Sequence, residues 1–183
     1  MVRIAVAGAA GRMGRRISTL VIEHEALELA GAFEAPGHQD IGRDMGELLG
    51  RGKNGVYLAS SFEDAVKEVD VVIDFTSPEA TLRNMESAVA MGKAMVIGTT
   101  GLKPGELDTV KAHAGKIPCV QAFNMSLGIN LLSRVLKDIA RALGEDYDVE
   151  IFEAHHKHKK DAPSGTALML ARSVAEALER ELE

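Results

Sequence analysis

The sequence predicts an α/β fold, an open doubly wound sheet of parallel strands, followed by a second, smaller α+β domain. Three observations carry that prediction. Short apolar runs alternate with longer amphipathic ones, most of the short runs are continuous rather than alternating in polarity, and a glycine-rich turn joins the first strand to the first helix. Continuous apolar strands are those buried on both faces, with helices between them supplying the cover.

Taken in order, Val2 to Ala7 is the first strand, and Gly8-Ala9-Ala10-Gly11-Arg12-Met13-Gly14 follows it directly and opens a helix over Arg12 to Glu23. Small residues in such a turn let a pyrophosphate reach the main-chain N–H groups and the positive helix end. The spacing is G-x-x-G-x-x-G, and tight strand-to-helix turns also use glycine structurally, so the turn alone is weak evidence. Context strengthens it. The second strand, Leu27 to Phe33, is closed by Glu34, at the distance beyond the turn where an acid is expected to bond the adenosine ribose hydroxyls. Glu34 would repel a 2′-phosphate and Ala35 places no guanidinium beside it, which favours NADH, while Arg12 at the mouth of the turn leaves NADPH tolerated.

Residues from Ala35 to Gly55 carry scattered glycines and charges and read as an irregular excursion. Val69 to Phe75, Ala94 to Ile97 and Ile117 to Val120 are the remaining strands of the sheet. Helices over Pro78 to Met91 and Pro104 to Ala114 have Pro in the first turn, where its missing N–H costs nothing. The loops Asp74-Phe75-Thr76-Ser77-Pro78 and Gly98-Thr99-Thr100-Gly101 follow strand ends, where ligands bind in such sheets, so Phe75, Thr76, Gly98, Thr99 and Thr100 are candidate cofactor residues. Turn-forming and capping serve equally well to explain these residue types. The texture changes near residue 123, dividing a dinucleotide-binding domain, 1–122, from a second domain, 123–183. There Leu127 to Leu143 reads as a helix, Asp148 to Ala154 as a strand and Ser164 to Leu182 as a final amphipathic helix.

Composition narrows the function. The chain of 183 residues is 46% hydrophobic, with a formal charge of -6, which disfavours nucleic acid and anionic membrane surfaces as partners. Aromatics make up 4% and Trp is absent, so stacking platforms for single strands are sparse. Cys119 stands alone in an apolar run, so no intramolecular disulfide can form and the residue reads as a strand cysteine. The apolar start is too short for a secretory signal and no run reaches membrane-spanning length, which gives a cytoplasmic expectation.

The chemistry concentrates in Glu153-Ala154-His155-His156-Lys157-His158-Lys159-Lys160-Asp161-Ala162-Pro163-Ser164-Gly165-Thr166-Ala167. Protonatable groups here precede a helix whose N-terminus can hold a carboxylate, and His and Lys can neutralise a second carboxylate and deliver a proton. Three lysines beside the histidines argue against a metal site. The plain alternative is a solvated basic loop.

This stretch resembles the signature of the dihydrodipicolinate reductases, and Arg12-Met13-Gly14, Gly98-Thr99-Thr100-Gly101 and Phe123-Asn124-Met125-Ser126-Leu127-Gly128-Ile129-Asn130 follow the family's order. The resemblance implies a Rossmann-type cofactor domain and hydride transfer from NADH or NADPH to a cyclic dicarboxylic, imine-type substrate, giving tetrahydrodipicolinate in lysine and diaminopimelate biosynthesis. By motif position it implies His155 as general acid and Lys159 as proton donor or carboxylate holder, with His156, Lys159, Gly165 and Thr166 binding substrate. Gly8, Ala10, Gly11, Arg12, Met13, Gly14 and Glu34 would then hold the nucleotide, and Gly98 to Thr100 with Ala122, Phe123 and Asn124 would orient the nicotinamide. No metal is implied. The family's members continue past the last helix into a sheet that joins a homotetramer, so the second domain is expected to be truncated here. A non-catalytic nucleotide-binding module is therefore the competing expectation.

Overall fold

The computed structural model describes residues 1–155, 157 and 162–182. They fall into two units, Met1–Gln121 and Ala122–Glu183. The first holds five strands, β1 (Val2–Ala7), β2 (Leu27–Phe33), β3 (Val71–Asp74), β4 (Ala94–Ile97) and β5 (Cys119–Gln121), in the order β2-β1-β3-β4-β5. Every neighbouring pair is parallel. The chain steps from β1 to β2 in one direction and then crosses back to β3 on the other flank, which leaves a crevice outside the carboxyl ends of β1 and β3.

Strand β1 shows why its residues are apolar without alternation. Ile4 and Val6 enter one core with Val21, Leu29 and Met45, while Ala5 and Ala7 enter the opposite core with Val72, Met85 and Ile97. Val6 and Val72 are fully buried, and each contributes roughly 1.5–3 kcal/mol of burial. Arg3 on β1 is tied to Asp70, just before β3, through its Nη2 at 2.9 Å from Oδ1 and its main-chain N–H at 2.9 Å from Oδ2.

Helix α1 (Arg12–Glu23) packs against β1 and β2 through Gly14, Ser18 and Val21. The stretch between β2 and β3 contains two single-turn helices that the sequence reading did not include, α2 (Met45–Leu48), inside the Ala35 to Gly55 excursion, and α3 (Phe62–Ala65), beyond it. The first is organised by the buried Asp44, whose carboxylate accepts N–H bonds from Glu47, Asn54 and Gly55. Burial pushes this carboxyl up, but the surrounding N–H donors outweigh it and hold it below its ordinary value.

Helices α4 (Pro78–Met91) and α5 (Pro104–Ala114) occupy the expected spans. Ser77 caps α4 by accepting from Ala80 N–H, and Gly92, at φ +63°, ends it in the left-handed region. Cys119 lies in β5, where burial pushes its thiol up, away from nucleophilic use.

The second unit pairs α6 (Leu127–Leu143) with α7 (Gly165–Ala177). Ser133 and Ser173 hydroxyls meet at 2.6 Å, and Lys137 Nζ lies 2.7 Å from Glu176 Oε2. Two expectations differ from the structure here. The final helix stops at Ala177 rather than Leu182, because Glu179 turns to φ +54° and Arg180 N–H bonds back to Ala175. Residues 148–154 form no strand: a strand exists through a partner's hydrogen bonds, and none pairs with them among the described residues. Phe152 is left 88% exposed. Among the described residues the regular structure of the second unit is therefore helical, and residues 148–154 are irregular. No described helix is long and apolar enough to cross a membrane.

Candidate functional site

In the first unit a cavity of about 640 Å³ opens at the carboxyl ends of β1, β2 and β3, lined by Gly8, Gly11, Glu34, Phe75 and Thr76 among others. The turn beneath it is built so that backbone, not side chain, faces a ligand. Gly8 has φ +62°, and a Cβ there would lie 2.9 Å from Thr76 Cγ2. At Gly14 a Cβ would come within 2.1 Å of the Gly8 carbonyl oxygen, so only glycine lets α1 start this close to the turn. Gly11 is the N-cap residue of α1 and supplies no side-chain acceptor to the helix's first N–H groups, and no acid sits in the first turn. Those donors and the positive helix end remain suited to an anion.

Glu34 reaches into the same cavity. Its Oε2 accepts from Ala10 N–H at 3.2 Å and its Oε1 from Ala35 N–H at 3.0 Å, which fixes the carboxylate against the glycine turn. A cradle that a Cβ would fill, an uncapped helix start and an acid at the second strand's end together fit the pyrophosphate and ribose of a pyridine dinucleotide.

The far wall depends on a residue that loop chemistry alone underrated. Asp74, at the end of β3, is fully buried. Its Oδ1 accepts from Thr76 N–H at 3.0 Å and Thr76 Oγ1 at 2.6 Å, and its Oδ2 from Asn84 Nδ2 at 2.8 Å. Thr81 and Thr99 hydroxyls lie 3.3 Å from Oδ1 and 2.8 Å from each other. One carboxylate thus locks together the ends of β3 and β4 and the start of α4. The signal for it was an acid followed by Thr at two and seven positions and Asn at ten, which places all three on a turn and the helix face behind it.

The other expected nucleotide residues are distributed unevenly. Phe75 lines the cavity, and a Cβ on Gly98 would fall 2.1 Å from two carbons of its ring, so only glycine at 98 leaves room for that ring. Thr99 is buried with its hydroxyl committed to the Asp74 cluster, whereas Thr100 is exposed. Arg12 and Met13 are exposed on the first turn of α1 and are not among the lining residues. Arg83, from α4, is a lining residue that the sequence reading did not pick out.

In the second unit Glu153 joins two expected site features. Its Oε2 lies 2.7 Å from His155 Nδ1, and its Oε1 accepts the Ser164 N–H at 2.6 Å. Ser164 is buried and caps α7, its Oγ accepting from Ala167 N–H at 3.0 Å. Thr166 Oγ1 accepts from Asn124 Nδ2 at 2.8 Å, and Asn130 in turn donates to the Asn124 and Ser126 carbonyls. Glu153 thus ties His155 to the α7 cap, while Asn124 is tied separately to Thr166 in the first turn of α7, with Ala122 and Phe123 half-buried beside Asn124 in the chain. His156 and Lys159 lie outside the described residues.

Comparison with known proteins gives concordant findings. Residues 2–125 match the family described as dihydrodipicolinate reductase, N-terminus, and residues 128–183 match dihydrodipicolinate reductase, C-terminus. A protein of Syntrophobacter fumaroxidans named 4-hydroxy-tetrahydrodipicolinate reductase is 52% identical over 183 residues, all of this chain and 68% of the relative. One of the same name from Syntrophus aciditrophicus is 48% identical over the same shares. Among solved structures, a dipicolinate-bound dihydrodipicolinate reductase from Paenisporosarcina sp. TG-14 superposes with a TM-score of 0.74 at 28% identity, covering 100% of this chain and 69% of that one. GenD2 from gentamicin A biosynthesis, solved with NAD, shares the fold at a TM-score of 0.59, 15% identity, and 75% and 39% coverage.

Proposed function

We propose, from the premise that this chain belongs to the dihydrodipicolinate reductase family, that it reduces 4-hydroxy-tetrahydrodipicolinate to tetrahydrodipicolinate with NADH or NADPH. A hydride and a proton are added and one water leaves. The observation that carries the reading is Glu153 holding His155 Nδ1 with one oxygen and the N–H of the α7 cap with the other. A proton-delivering imidazole and a helix N-terminus suited to a carboxylate are thereby fixed to a common support.

Bound nicotinamide supplies the hydride. The uncapped start of α1 would hold the pyrophosphate through the Arg12 and Met13 N–H groups, since the Gly11 N–H is already given to the Gly8 carbonyl, with Glu34 taking the ribose hydroxyls. Phe75 and Thr76 form the wall that Asp74 braces. Gly98 to Thr100 and Ala122 to Asn124 orient the nicotinamide, so that proximity contributes most of the rate. His155 serves as general acid, Lys159 donates a proton or holds a carboxylate, and His156, Gly165 and Thr166 complete the substrate set, roles that rest on the family's motif. A dicarboxylate suits this cationic stretch. The setting proposed is cytoplasmic, and the assembly a homo-oligomer, supported by the exposed apolar stripe Leu127, Leu131, Val135, Ile139 on α6.

The test is NADH and NADPH oxidation by this chain with freshly generated 4-hydroxy-tetrahydrodipicolinate, alongside Lys159→Ala. Turnover that the substitution abolishes, with nucleotide affinity retained, is the expected result. Absent turnover with nucleotide still bound would favour the competing reading, a non-catalytic nucleotide-binding module.

A further inference from the structure

We infer that Arg83 is the residue that receives the 2′-phosphate of NADPH, making α4 rather than the end of β2 the element that decides cofactor choice. This rests on the nucleotide reading above. At the end of β2 the cavity offers Glu34 and Ala35, an arrangement that bonds ribose hydroxyls and repels a 2′-phosphate. A site that takes NADPH must set a cation against that repulsion. Arg83 is the cation among the lining residues, which also include the acids Glu34 and Glu63.

Its neighbours leave it ready for the task. Arg83 sits one turn beyond Glu79, and its Nη1 lies 2.5 Å from Glu79 Oε1, an i,i+4 pair with side chains 64% and 83% exposed. A solvated pair of this kind is worth little and can be exchanged for a stronger partner. Glu63, the other acid on this wall, is oriented by the Ser87 hydroxyl at 2.8 Å. Glu79 meets the guanidinium through Nη1, whereas a phosphate offers oxygens to both arms of the fork, and two charges on the phosphate outweigh one on Glu79. Arg12, which the sequence made the candidate for this role, is not among the lining residues.

The experiment is direct binding, read by fluorescence titration or calorimetry, of NADPH, NADH, 2′,5′-ADP and 5′-AMP to the whole chain and to Arg83→Gln, Arg83→Lys and Glu79→Gln. Arg83→Gln should raise the Kd for NADPH about tenfold while moving that for NADH less than twofold, the size expected for one charge-assisted bond. It should also erase any preference for 2′,5′-ADP over 5′-AMP. Arg83→Lys should restore part of the loss, and Glu79→Gln should tighten NADPH alone. Equal weakening of both nucleotides would overturn the inference, since Arg83 would then serve the adenine or the fold, and so would an unchanged NADPH affinity. Wild-type chain that binds NADH but not NADPH sinks the Arg83 role and spares the nucleotide site. Binding of neither would remove the site itself.

Discussion

Single residues carry the site by making one group satisfy two needs. Glu153 is the plainest case, since His155 and the Ser164 N–H lean on the same carboxylate. Glu153→Gln keeps the shape but loses the charge that strengthens both bonds, worth about 1.5–3 kcal/mol for hydrogen bonds to charged groups. Turnover number should therefore fall roughly tenfold to a hundredfold, while the Kd for NADH stays unchanged, because Glu153 lies outside the unit that holds the nucleotide cradle. Parallel measurement of kcat and nucleotide Kd checks this, and an equal loss in both would remove Glu153 from its positioning role. The sequence displayed His155 and the Pro-Ser-Gly-Thr start of α7, because charge runs and caps are local signals. It did not display what Glu153 does, since an acid's partners are set by how an irregular segment folds back. Asp74 was underrated for a related reason: its donors arrive from positions 76, 81, 84 and 99, and the spacing of the first three does not show that they meet on one carboxylate with the fourth, which comes from the end of the next strand.

At the scale of elements, the legible features were those whose ends carry their own chemistry. Helices α1, α4, α5 and α6 fall on the expected spans, punctuated by Gly11, Ser77-Pro78 with Gly92, Lys103-Pro104 and Ser126. Strand 148–154 was expected from apolar residues alone, yet strands need neighbours, and α2 and α3 are single turns held by tertiary contacts with no periodicity to reveal them. The junction of β1 with β3 yields a prediction about acid. Arg3 holds the Asp70 carboxyl down to about 2, first through its side chain and then through its own N–H. Because the folded value lies below the unfolded one, the pair stabilises the fold fully above about pH 4, and the contribution fades as the pH falls towards 2. Asp70→Asn should lower the Tm at pH 6 and shrink the difference between wild type and variant on going to pH 2. Thermal melts across that range decide it, and a difference that grows in acid would show that another group carries the acid response.

At the scale of the whole molecule, the chain divides into Met1–Gln121 and Ala122–Glu183, and the proposed function gives each unit its own recognition task. The first unit has the glycine turn, Glu34 and the Asp74-braced wall; the second has His155, the α7 start and the Asn124–Thr166 pair. That partition was visible as a change of texture near residue 123, because a sheet of continuous apolar strands gives way to an amphipathic helix of different period. If the assignment of tasks is right, ligands should leave separate marks on amide exchange. NADH should slow exchange at the Arg12 and Met13 amides, the donors proposed for the pyrophosphate, and at Phe75 and Thr76. Dipicolinate, the ligand named for the solved reductase of Paenisporosarcina, should slow exchange at Gly165 and Thr166, the first two residues of the α7 terminus, the Ala167 N–H being already given to Ser164 Oγ. Hydrogen exchange read by mass spectrometry, with each ligand alone and then both, makes the comparison. Protection that follows NADH into α7 while sparing the glycine turn would reverse the assignment. Protection of each terminus by its own ligand would establish that the two positive helix ends divide the anions between them, phosphate to α1 and carboxylate to α7.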